Sequence, residues 1–168
     1  EIKDGKDVSI KTYTYNENFE YLIERVFEQI LAKYRLEVLK NSIAFCIREM
    51  TGNSRKAIIK RIFFKEKNLD IFNLSDYEKG MKLFHKSVYY NLDAYTQKMK
   101  AEGYYISVYF SHNNSFLRIR IETNTELNLT ERSRIENKIG LYNTVRNISS
   151  QLETLIDNTE GAGLGIIM

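Results

Sequence analysis

The stretch from Tyr104 to Thr123, YYISVYFSHNNSFLRIRIET, constrains this chain more than any other. Two runs rich in Ile, Val, Tyr and Phe alternate with polar residues on either side of His112-Asn113-Asn114. A period of two marks half-buried strands. It predicts that residues 104–111 and 116–123 pair across a hairpin. A lone hairpin is marginal in water, so its apolar face needs helices and more sheet. "VSIKTYTY" has the same β-branched alternation and predicts a strand over 8–14.

The rest of the chain has helical periods. Phe19, Leu22, Ile23, Val26, Phe27, Ile30 and Leu31 follow the three-and-four spacing of an amphipathic helix, with Asn16 placed to cap it and an end near Lys33. Leu36, Leu39, Ile43, Cys46, Ile47 and Met50 predict the buried stripe of a second helix running to about Lys60, after which "RIFF" fits either a continuation or a new element. Residues 65–74 read as a connector. From Ser75 to Glu102 a long helix is expected, with Ser75 and Glu78 at capping-box spacing and Gly103 placed to end it. Its stripe is Tyr77, Met81, Phe84, Val88, Leu92, Tyr95 and Met99, an aromatic face of the kind that packs in a core. After the hairpin, Thr130 is a possible cap for further helical segments broken near Gly140. The order predicts an α+β domain, helices covering one face of an antiparallel or mixed sheet.

At 168 residues the chain has the size of one domain. Its formal net charge of +3 argues neither for nor against a phosphate-bearing partner. The lone cysteine, Cys46, reads as a small buried hydrophobe, and a chain without a disulfide framework fits a reducing compartment. With no apolar run long enough to span a bilayer, the sequence is expected to be soluble and cytoplasmic.

Two stretches could carry chemistry. In "REMTGNSRKA", Glu49 and Asn53 lie one helical turn apart on one face, and Lys56 joins them three residues on. A carboxylate, an amide oxygen and an ammonium together suit magnesium and phosphate; alone, such a stripe is also the common solvated side of a helix. Gly52 in that helix costs about 1 kcal/mol relative to alanine, which a close backbone approach or simple tolerance would explain. The second stretch is "EGAGLG", with glycines at 161, 163 and 165. Bare backbone amides there could meet phosphate, and a plain flexible loop is the alternative.

Taken together, these motifs resemble the histidine-kinase-type ATPase family, which includes gyrase, MutL-type and heat-shock chaperone ATPases. Its N box places Glu, then Asn four residues on, then often a basic residue three beyond; Glu49, Asn53 and Lys56 match. Its second glycine box, G-x-G-L-G, matches Gly161, Gly163, Leu164 and Gly165. The resemblance spans about residues 8–168 and implies a two-layer α/β sandwich with ATP between the N-box helix and a lid. It implies Asn53 as magnesium ligand, Lys56 on phosphate, Glu49 as the group that positions or activates the nucleophile, and the glycine-box amides on the phosphates. The implied lid covers about 126–160, and the helical stretch 65–102 is an insert. Where the family has Asp-x-Gly, this chain has Thr123-Asn124-Thr125, so a hydroxyl replaces the carboxylate that receives the adenine amino group. In the family the second glycine box opens a helix followed by further strands, so the sequence is expected to be incomplete at Met168, with an open sheet edge that favours a homodimer.

The function implied is an ATP- and magnesium-binding domain of a bacterial signalling protein, working with a phosphoacceptor domain or signalling partner. The alternative is a degenerate, non-catalytic nucleotide-sensing or protein-interaction module of the same fold. His85 in the insert helix is a weak phosphoacceptor candidate. Nucleic-acid binding through "RKAIIKR" is not favoured, since its cations would simply line the exposed side of a helix.

Overall fold

The computed structural model describes residues 6–88 and 91–144. The elements are β1 (Val8–Thr12), α1 (Glu17–Lys33), a short 3₁₀ turn (Glu37–Leu39), α2 (Lys40–Glu66), α3 (Leu74–Val88), α4 (Leu92–Ala101), β2 (Ile106–His112), β3 (Leu117–Thr123) and α5 (Leu129–Thr144). The architecture is α+β, as expected. The strands form an antiparallel sheet in the order β1-β2-β3.

Register explains how the sheet packs. Ile10, Val108 and Ile121 align across the three strands, as do Val8, Phe110 and Ile119. That face joins the core with Phe27, Ile30 and Leu31 of α1 and Ile58, Ile62 and Phe63 of α2. The strands begin or end a residue or two from the expected positions. β1 stops at Thr12 rather than residue 14, because the Thr12 hydroxyl accepts the Thr14 amide at 3.1 Å and diverts the backbone. At the hairpin, Asn113 Oδ1 accepts the amides of Ser115 and Phe116, at 2.8 and 3.1 Å, and fixes a loop over 113–116.

α2 continues through "RIFF" to Glu66. Every residue from Ile58 to Phe64 is buried, Lys60 and Arg61 included. A helix surrounded on all sides loses its 3.6 period, which is why the sequence is ambiguous there. The expected stripe of its first half is only partly right. Ala44, Ile47 and Thr51 face the core; Leu39 and Met50 are exposed, and Cys46 is only half-buried.

The long helix expected from Ser75 to Glu102 is two helices, α3 ending at Val88 and α4 starting at Leu92. Asn91, directly before α4, leaves the helical region at φ −131° and ψ 24° and is a weak helix former. The cap is Asn73, whose Oδ1 accepts the Asp76 amide at 3.2 Å, in place of Ser75. Tyr77, Phe84, Val88, Tyr95 and Met99 are buried in the common core, so the insert packs on this domain; Leu92 is exposed. Gly103 ends α4 with φ +72°.

Candidate functional site

The middle of α2 is held from two directions, by Tyr15 and by Thr96. Thr51 donates its hydroxyl hydrogen to the Ile47 carbonyl at 2.8 Å and lies 3.1 Å from the Tyr15 phenol, whose own proton also has the Glu20 carboxylate as a partner. Burial is the main cause that raises the Tyr15 pKa to about 12, so the phenol keeps that proton. Arg55 reaches Thr96 of α4 at 3.0 Å and lies 5.1 Å from the centre of the Tyr15 ring. Tyr15 follows β1 closely, and β1 ends at Thr12, in register with Ile106 and hence Thr123. The turn of α2 bearing Glu49 and Asn53 is thereby tied to the sheet end that carries Thr123.

With Thr51 turned inward, helical geometry places Glu49, Asn53 and Lys56 on the side away from α1. Glu49 and Asn53 are half-buried and Lys56 is exposed. One turn further, Lys60 continues the same stripe and is buried. Its ammonium is 2.8 Å from the Glu131 carboxylate, which also receives Arg61 at 2.8 Å. Arg61 further donates to the Glu126 carbonyl. Asn128 and Glu131 form a reciprocal capping box at the start of α5: Glu131 N–H to Asn128 Oδ1 at 2.8 Å, Asn128 N–H to Glu131 Oε2 at 3.2 Å. Asn128 also donates to the Ile71 carbonyl at 3.1 Å. The cap of α5 is therefore Asn128, not Thr130, and the stripe runs into the α5 N-terminus.

Sequence reasoning missed this cluster. Lys60 and Arg61 are not the exposed side of a helix; they are buried because Glu131 neutralises charge and accepts their hydrogen bonds. Two signals pointed to it: cations inside the apolar run "IIKRIFF", and the N-x-x-E spacing of Asn128 and Glu131.

The strand end is engaged internally. Thr123 Oγ1 lies 3.2 Å from Thr125 Oγ1. Asn124 accepts the Tyr105 amide at 3.0 Å and donates to the Gly103 carbonyl at 3.1 Å, stapling β3 to the end of α4. Gly161, Gly163, Leu164 and Gly165 lie outside the described residues, as does the side chain of His85.

Among the described residues no group of three or more His, Cys, Asp or Glu could hold a metal ion. Magnesium bound through nucleotide phosphates needs no such cage; one or two protein oxygens and water complete it, which the half-buried Asn53 amide and Glu49 carboxylate suit. A cleft of about 70 Å³ lies between α1 and α2, lined by Glu20, Phe27, Ala44 and Arg48 among others. It is on the α1 side of α2 and far below the roughly 300 Å³ at which small-molecule sites begin. Among the described residues no helix is long and apolar enough to cross a membrane.

A protein of Treponema pallidum (strain Nichols), described as uncharacterized, is 33% identical to this chain over 161 residues, covering 96% of this chain. The chain spans 31% of the length of that relative. No family model matches the sequence. No solved structure matches it either.

Proposed function

We propose that this chain binds ATP with magnesium, as the nucleotide-binding part of a signalling protein related to histidine kinases. The observation that carries the reading is the α2 face on which Glu49 and Asn53 stand one turn apart beside Lys56, tied to the sheet end bearing Thr123. On this reading Asn53 supplies an oxygen to magnesium and Lys56 offsets phosphate charge. Glu49 orients or deprotonates the attacking group. The amides of Gly161, Gly163 and Gly165 face the phosphates. The start of the implied lid of about 126–160 is anchored to α2, Arg61 holding the Glu126 carbonyl and Lys60 and Arg61 the Glu131 carboxylate.

A second reading, nucleotide sensing without phosphoryl transfer, is favoured by the strand end. Thr123 replaces a carboxylate with a hydroxyl, and the Asn124 amide is already engaged by Tyr105 and Gly103. Base recognition there lacks a charge-assisted bond.

Calorimetric titration of magnesium-ATP into the full-length protein tests both. Saturable binding is expected, weakened about tenfold or more in Asn53→Ala, a loss of about 1.4 kcal/mol. No binding by the folded protein ends the proposal. Phosphoryl transfer that Glu49→Gln abolishes while binding persists assigns catalysis. Binding without any transfer in the unsubstituted protein assigns sensing.

A further inference from the structure

The face of the sheet turned away from the core carries cations laid on aromatic rings. Cross-strand register puts Lys11, Ser107 and Glu122 in one row and Ser9, Tyr109 and Arg120 in the next. The Lys11 ammonium sits 3.9 Å from the centre of the Tyr105 ring, and the Arg120 guanidinium 4.1 Å from that of Tyr109. Arg118, two residues before Arg120, lies 5.4 Å from the Phe116 ring. Lys11, Arg118 and Arg120 are exposed.

A cation held over a ring has surrendered some side-chain freedom already, so it loses less on meeting an anion. Within the three strands this face has three such cations against the carboxylate of Glu122, which stands 3.7 Å from Arg120. Arg118 and Arg120 are two residues apart on one strand, about 7 Å. Carboxylates at alternate positions of an extended segment have the same spacing. Nucleobases would need the ring faces for stacking, and at Tyr105 and Tyr109 a cation already occupies one.

We propose that this face docks an extended acidic segment of a protein partner, its carboxylates meeting Arg118, Arg120 and Lys11. The proposal does not rest on the nucleotide reading, whose residues on α2 and at Thr123 belong to the core side of the sheet.

The probe is a fluorescein-labelled peptide of alternating glutamate and threonine, compared with a single-stranded oligothymidine of matched length. Fluorescence anisotropy should show the full-length protein binding the peptide, more weakly as salt rises. The double reversal Arg118→Glu with Arg120→Glu should cut that affinity about tenfold or more with an unchanged thermal melt, while Lys100→Glu on α4 should leave it unchanged. Tighter binding of the oligothymidine, equal loss with Lys100→Glu, or no peptide binding by the folded protein would each overturn the assignment.

Discussion

The Glu131 carboxylate lies 2.8 Å from both the Lys60 ammonium and an Arg61 nitrogen, and all three side chains are buried. Burial alone would raise the Glu131 pKa. The hydrogen bonds from Arg61 and the charge of Lys60 outweigh it and lower the value from 4.5 to about 2. A folded-state pKa below the unfolded one gives stability that is fully present above the unfolded value and lost as pH falls through the folded one. The window is therefore from about pH 5 down to about 2, with on the order of 3 kcal/mol at stake. Urea midpoints measured across that window should fall steeply for the native sequence. For Glu131→Gln they should start lower, by about 3–5 kcal/mol, because two buried cations lose their carboxylate. The profile of the variant should also be flatter; parallel profiles would show that another group controls the acid transition.

Gly80 of α3 faces Phe64 of α2 so closely that a Cβ would stand 2.8 Å or less from three atoms of the ring. The ring has little room to yield, being buried and set against Phe63 and Tyr77, with centroids at 6.1 and 5.9 Å. Gly80→Ala should gain about 1 kcal/mol of helix propensity and lose about 1–3 kcal/mol to overpacking. Net destabilisation is the expected outcome in a denaturant titration. A more stable variant would show that α3 can slide on α2.

Much of this was legible in the residues, and the failures share a cause. The hairpin, β1 and α1 each bury one face, so their periods survive in the sequence: Ile23, Phe27 and Ile30 are where the spacing puts them. The second half of α2 is buried all round, so periodicity is silent, and Lys60 and Arg61 read as surface because their partner Glu131 lies in another helix. Cap positions failed by a residue or two wherever several side chains could serve, as with Asn73 beside Ser75 and Asn128 beside Thr130. In the candidate site, Glu49, Asn53 and Lys56 share a face because helical spacing is local. Its relation to Thr123 depends on Tyr15 and Thr51, whose hydrogen bond joins distant stretches of chain.

Three helices end in one motif. The amides of Leu36, Leu69 and Tyr104 reach back to the carbonyls of Leu31, Phe64 and Met99, each at 2.9 Å. The residue before each of those amides has positive φ: Arg35 at 57°, Asn68 at 52° and Gly103 at 72°. Only Gly103 adopts it without steric cost. Arg35→Gly should therefore stabilise the protein by about 1 kcal/mol, read as a raised denaturation midpoint with an unchanged slope. An unchanged or lowered midpoint would mean that the Arg35 side chain makes a compensating contact.

Gly52 carries the opposite message to Gly80. It lies inside α2, between Glu49 and Lys56 in sequence, and a Cβ there would meet no described atom within 4 Å. Nothing among the described residues needs its missing side chain, and its φ is not in the left-handed region. Gly52→Ala should raise stability by about 1 kcal/mol. For a domain of this size that shifts the thermal midpoint by about 2–4 °C. The same variant bears on the nucleotide reading, because position 52 stands one turn before Lys56. A stabilised protein with undiminished magnesium-ATP affinity would show that no ligand backs onto this turn. A stabilised protein whose affinity drops would place the phosphates against its bare backbone. Destabilisation would mean that another part of the full-length protein packs there.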